Sequence, residues 1–313
     1  MDIKDPKIKE FGDSLSDDLP IPYANDESSN ELEIKKRCKL KPERTRGFVY
    51  DTLIKACVGS LIGREMVLAA SACVFCAIYV VGFFWWAGGW KARKKARHEA
   101  ASCFMSLLHG SLATLLTAWD VFLLFHRQSS EGEPWQHLLR APNTPFQDAV
   151  VEFSIAYFLV DLLHYALFVP EEALFILHHL ASASYMLSCR YYTKHGALSI
   201  MLLLGLAECT SFMQNFWTLA SLAGATRTYK YLNVVFLPFF TLVRGFLGPL
   251  LTWNLSVYYF SGEADLVIPR WLSCYWMFVV TLAIVASIFW VAGLWARLFA
   301  AREMANAKSR RLD

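Results

Sequence analysis

The stretch AVVEFSIAYFLVDLLHYALFVPEEALFILHHLASASYMLSC, residues 149–189, holds two apolar runs parted only by Pro170, Glu171 and Glu172. A bilayer core about 30 Å thick takes about 20 residues of helix to cross. Asp148–Val169 meets that length and Ala173–Cys189 approaches it. Proline ends the first run, and the two acids suit the amino end of a following helix, where they can cap it. The stretch therefore predicts a tight transmembrane hairpin, and with it a membrane protein built of helices.

Working outward, five further runs of the same kind appear: Met66–Trp86, Ser102–Phe125, Leu198–Leu222, Leu232–Phe260 and Trp271–Phe299. Of the 313 residues 56% are hydrophobic and 18% charged, and nearly all the charges fall outside these runs. The expected fold is an all-α polytopic membrane protein, a bundle of about seven transmembrane helices around an internal polar cavity. Leu232–Phe260 carries Pro238 and Pro249, so a kink or unwound turn is expected there. The first run begins only near Met66 and lacks the pattern of a cleavable signal, so it should remain as a helix.

Four parts follow: an arm over residues 1–64, the first helix with a basic loop over 65–97, the main membrane domain over 98–300, and a basic tail over 301–313. Residues 1–33 carry ten acids against three lysines, and KKRCKLKPERTR follows with seven basic residues. Such a charge-blocked, proline-containing arm is expected to be disordered. Its basic block suits anionic headgroups or plain solvation. Nothing in the chain resembles a basic fold for nucleic acid. The cysteines in the runs show no metal or disulfide spacing and read as small apolar residues. Lysine and arginine in the loop at 91–97 and after Arg297 favour a cytosolic carboxyl end.

Ionisable groups at membrane depth cost about 2.5–3.5 kcal/mol each on insertion scales, so they face the bundle interior when they occur. Here they are His109, Asp120, Asp161, His164, His178, His179, Glu208 and Arg244. Helical spacing sorts them into stripes. Tyr157, Asp161 and His164 follow i, i+4, i+7, as do His178, Ser182 and Tyr185; Glu208, Ser211 and Asn215 share a face, and His109 lies on nearly the same side as Asp120. Arg244 needs a counter-charge, with Glu208 or Asp161 the candidates. Adjacent residues on a helix point about 100° apart, so one imidazole of the dihistidine should face the cavity while the other packs against a neighbour. The competing reading is that these groups only bridge helices, at roughly 0.6–2 kcal/mol per hydrogen bond.

Several chemistries are weighed against this set. Adjacent histidines bite one metal ion awkwardly, though His164, His178 and Asp161, drawn from neighbouring helices, leave zinc as a minority reading. Repeated histidine boxes for a di-iron centre are missing, haem ligation is weak, and no GxSxG elbow is present. Acyl transfer needs one imidazole to take a proton and one carboxylate to orient it, which the set supplies.

YFLVDLLHY at 157–165, LHHLASASY at 177–185, AECTSFMQNFW at 207–217 and VRGFLGP at 243–249 resemble successive motifs of the TLC (TRAM/Lag/CLN-homology) domain, over about residues 98–300. The resemblance implies a helix bundle of the endoplasmic reticulum with a lipid-accessible cavity. Ceramide synthases of that family acylate sphingoid bases from acyl-CoA with a dihistidine and a following HD-then-D motif. His178 and His179 match the dihistidine, but Ala207, Glu208 and Ser211 stand where the second motif would be, which points to the non-synthase branch.

Two functions are therefore expected. In the first, the bundle binds a lipid through Tyr157, Asp161, His164, His178, His179, Ser182, Glu208, Asn215, Arg244 and His109, and acts in lipid homeostasis, sensing or trafficking. In the second it is an acyltransferase with acyl-CoA as co-substrate, His178 or His179 as base and Glu208 or Asp161 orienting it. Neither needs a metal or bound cofactor. Membrane lipids are the expected partners, and a homodimer is possible.

Overall fold

The computed structural model describes residues 66–89, 94–131 and 136–309. The amino-terminal arm, the first part of the basic loop and the last residues of the tail lie outside the described residues. Helices follow one another as α1 (Val67–Gly89), α2 (Lys94–Glu131), the short α3 (Gln136–Arg140), α4 (Pro145–Phe168), α5 (Ala173–Leu187), α6 (Ala197–Leu222), α7 (Thr226–Phe240), α8 (Gly248–Phe260) and α9 (Arg270–Ser309). Among the described residues there is no β-strand, only one isolated bridge between Pro142 and His195.

Among the described residues six spans are long and apolar enough to cross a membrane: Val67–Trp85, Ala96–His126, Pro145–Phe168, Ala197–Leu222, Thr226–Phe260 and Arg270–Ala300. The predicted fourth segment is also present, as the 15-residue α5 continued by a six-residue π-turn, Ser188–Thr193. Together these approach the length of a span.

The hairpin at 149–189 forms as expected, with sharper ends. Thr144 and Gln147 make a capping box at the start of α4, the Gln147 N–H donating to Thr144 Oγ1 at 3.2 Å and the Thr144 N–H to Gln147 Oε1 at 3.0 Å. Pro145 opens the helix, where its missing N–H is harmless. At the other end, Glu172 precedes α5 without any side-chain cap bond. The two acids thus separate the helices and do not cap the second.

Pro238 and Pro249 do not unwind the predicted sixth segment. The Thr241 N–H reaches both Leu237 O and Pro238 O, the helix widens into a π-turn over Thr241–Leu247, and Pro249 falls in the first turn of α8. A π-turn absorbs the hydrogen bond that proline removes while keeping the backbone closed on itself, as hydrocarbon requires.

The second π-turn, Ser188–Thr193, sets Arg190 onto α4. Its Nε–H donates to Glu152 Oε1 at 2.7 Å, and Nη1 stands 3.4 Å from Asp148 Oδ2. The chain then leaves this turn through Lys194 at φ 58° and Gly196 at φ 95°. A Cβ at Gly196 would meet the buried Trp276 ring at 2.9 Å.

Around these elements the polarity is that of a membrane bundle. Val81, Phe84, Leu115, Leu163, Leu167, Trp253 and Phe289 face outward, while Phe75, Met105, Ile155, Met201, Tyr259 and Trp276 are fully buried. An outward apolar surface of this size belongs in lipid. Helices α2 and α6 pack most closely, at Gly205, where an added Cβ would stand 2.5 Å from Thr117 Oγ1.

Candidate functional site

Asp161, at mid-depth on α4, is the hub of a buried polar network. Its carboxylate accepts from Ser102 Oγ at 2.7 Å, from the Tyr157 hydroxyl at 3.3 Å, and faces His179 Nε2 at 3.0 Å. Ser102 comes from α2 and His179 from α5, so the carboxylate joins three helices. A buried carboxylate is costly unless its lone pairs are occupied in this way.

His179 has no nitrogen to spare. Its Nδ1 stands 2.7 Å from the Phe175 carbonyl oxygen, which can only accept, so Nδ1 carries a proton. One further proton lies between Nε2 and Asp161 Oδ2, completing the pair. This is the packed member of the dihistidine.

His178, one residue earlier, points about 100° away. It sits among the helices, its ring 6.0 Å from that of Phe158 and within electrostatic range of Arg244 and Glu208, yet it keeps an open surface. His178 is thus the exposed member of the dihistidine.

The network continues along α2 and α4. Ser106 Oγ and the Tyr157 hydroxyl are 2.6 Å apart, and the His109 ring stacks on Tyr157 at 4.0 Å and 10°. His109 Nε2 meets Ser154 Oγ at 3.1 Å, while Nδ1 lies 3.6 Å from Glu208 Oε2. Gly110 leaves room for that carboxylate, since a Cβ there would stand 3.1 Å from Oε2.

Arg244 projects from the π-turn. The expected carboxylate partner is not what it binds: Nε–H donates to Thr210 Oγ1 at 3.0 Å and Nη2 to the Ala207 carbonyl at 2.9 Å. Glu208 is in electrostatic range but is engaged by His109. Neutral oxygens of α6 thus hold the guanidinium, with the Phe240 ring 5.8 Å away.

Other predicted members stand apart. Asn215 donates to Ser211 O of its own helix at 2.8 Å, and Ser182 is half-buried outside this network. Tyr185 packs on Trp276, ring centroids 4.8 Å apart. Asp120 lies three turns along the same face of α2 as His109 and also meets α4, but at a different level: it accepts from Gln147 Nε2 at 2.9 Å, near the start of that helix. Among the described residues no group of three His, Cys, Asp or Glu is arranged to hold a metal ion.

A family model for the TLC domain matches residues 99–296. The chain belongs to the TLC domain family. A TLC domain-containing protein of Arabidopsis thaliana is 41% identical over 237 residues, covering 74% of this chain and 89% of that protein. No solved structure matches it.

Within the TLC domain lie all the predicted site residues, but two participants that sequence reasoning missed come before it. Tyr79 on α1 brings its hydroxyl to 2.6 Å from His98 Nδ1 and 3.1 Å from His164 Nδ1. His98, Ser102, Ser106 and His109 were readable as one stripe on α2, at i, i+4, i+8 and i+11. Tyr79 carried no such signal, being a lone tyrosine in an apolar run.

Proposed function

We propose that this TLC domain protein binds a membrane lipid between its helices, with His178 and Arg244 at the wall of the site, and acts in membrane lipid homeostasis. The observation that carries this is the division of the dihistidine: His179 is consumed by Asp161 and Phe175, and His178 is open. An open imidazole at membrane depth, with a guanidinium in electrostatic range, suits a headgroup. An apolar groove of about 660 Å³, lined by Phe125, Leu202, Cys209, Leu247 and Leu250 among others, offers room for an acyl chain. That volume falls in the range of about 300–1,000 Å³ typical of ligand sites.

Acyl transfer is the second reading, favoured by the open imidazole with Glu208 in range. It assigns the base to His178, since His179 has no nitrogen left to receive a proton. In either case we place the protein in the endoplasmic reticulum with a cytosolic carboxyl end.

The test is to purify the protein in detergent, identify co-purifying lipid by native mass spectrometry, and incubate it with labelled acyl-CoA, long-chain bases and lysolipids. Lipid retained by wild type and lost in His178→Ala, without product, supports binding. Product formation that needs His178 replaces this reading with the transferase. Unchanged lipid in His178→Ala overturns the placement of the site.

A further inference from the structure

Arg244 is a cation at membrane depth with no carboxylate in contact. It stands near the middle of the Thr226–Phe260 span and is half-buried. Among the described residues it makes no ion pair, and Glu208, the carboxylate in electrostatic range, is turned to His109 Nδ1 at 3.6 Å. A guanidinium has five N–H groups to donate. Here Nε–H goes to Thr210 Oγ1 at 3.0 Å and one hydrogen of Nη2 to the Ala207 carbonyl at 2.9 Å. The other hydrogen of Nη2 and both of Nη1 have no acceptor among the described residues. Nη1 and Nη2 together form a fork that matches two oxygens of one carboxylate or phosphate.

This fork lies at one end of the apolar groove. Its two acceptors, Ala207 and Thr210, each follow a residue that lines the groove, Leu206 and Cys209, and Leu247 lines it three residues on from Arg244 itself. Two cross-links fix how the walls run. Arg244 bonds Thr210 at one level and the Tyr259 hydroxyl donates to Ser199 Oγ at 2.9 Å at another, so α6 and α8 are antiparallel. The groove then leads from Cys209 to Leu202 on one wall and from Leu247 to Asn254 on the other. Seven positions on each wall make about 10 Å of helix, set against about 15 Å for one leaflet of the bilayer core. The two polar members of the lining bond their own helices, Cys209 Sγ to Leu206 O at 3.1 Å and Asn254 Nδ2 to Leu250 O at 2.8 Å. The walls thus suit a hydrocarbon chain, with a cation at one end.

We propose, resting on the lipid-site reading above, that the lipid held there is acidic: a phosphate or carboxylate sits on the Nη1–Nη2 fork of Arg244, and its acyl chain runs down the groove toward Asn254. A cation away from water is stabilised by an anion that bonds both free nitrogens at once. Thr210 and Ala207 already hold the guanidinium in place, so little freedom is lost when the anion arrives. The same charge sets what is refused. The ammonium of a long-chain base is repelled by Arg244, and the choline of a zwitterionic lipid offsets the attraction of its phosphate.

The test uses the full chain in detergent, read by native mass spectrometry, with phosphatidic acid, oleate, phosphatidylcholine and sphingosine of matched chain length as probes. Wild type should retain phosphatidic acid or oleate at least about tenfold better than the other two, the factor that one charge-assisted hydrogen bond gives. Which of the two acids it holds tells phosphate from carboxylate. Arg244→Gln should bring the four affinities together, while Arg244→Lys keeps the preference for acid. Leu250→Trp, which fills the groove, should weaken all four alike; unchanged retention there overturns the path assigned to the chain. Equal retention of sphingosine or phosphatidylcholine by wild type overturns the proposal with no variant needed, and so does an acid preference that survives Arg244→Gln. Lipid held without acid preference but lost in His178→Ala sinks this proposal alone and leaves the lipid-site reading standing. A wild type that retains no lipid sinks both.

Discussion

His179 offers Nε2 to Asp161 at 3.0 Å and Nδ1 to the Phe175 carbonyl at 2.7 Å, and this fixes one ring of the dihistidine as part of the bundle's frame. The three groups that meet at Asp161 come from α2, α4 and α5. Their loss is therefore a stability event before it is a functional one.

Asp161→Ala strands His179, Ser102 and Tyr157 in a dry interior. Breaking a buried pair from one side costs about 3–5 kcal/mol, read as a lowered unfolding midpoint in detergent. His179→Ala should cost a similar amount. The double variant should lose less than the sum, because the two share one interaction.

His178→Ala behaves oppositely. With its ring open and no hydrogen bond to it among the described residues, stability should stay within about 0.5 kcal/mol of wild type. The bound-lipid signal should nevertheless fall. Equal destabilisation of His178→Ala and His179→Ala would contradict the division of labour drawn between them.

Gly205→Ala tests the contact between α2 and α6. The new methyl meets Thr117 Oγ1, so overpacking of about 1–3 kcal/mol outweighs the roughly 1 kcal/mol gained in helix propensity. Adding Thr117→Ala removes the obstructing oxygen. Recovery of most of the lost stability, followed by thermal unfolding, checks the assignment.

Arg190→Ala removes the cation from Glu152, whose side chain is 3% exposed. The stranded carboxylate should cost about 3 kcal/mol. Pairing it with Glu152→Gln should restore part of that, since a neutral amide tolerates burial better than an unpaired charge.

Much of this bundle was readable because hydrocarbon imposes a length and excludes charge. The hairpin at 149–189 needed only two apolar runs and a proline. Asp161, His179, Glu208 and His109 announced themselves by the cost of placing them in lipid. Ser102 and Ser106 did not, because a hydroxyl can bond its own helix and passes as an ordinary small residue; their register with His98 and His109 was the one signal that could have found them. The π-turns were hidden for a different reason. Pro238 signalled a lost hydrogen bond, but whether the chain then kinks or widens depends on what Thr241 can reach. Arg244 shows the limit of pairing charges by eye, since its donors end on Thr210 and a backbone carbonyl.

Helix α1 lies before the residues that the family model matches, yet Phe75 is fully buried against Phe153 and Tyr157, and Tyr79 reaches α4. The span matched by the family model is therefore smaller than the packed unit. Cutting the chain at residue 99 would leave the faces of α2 and α4 that meet α1 turned toward lipid.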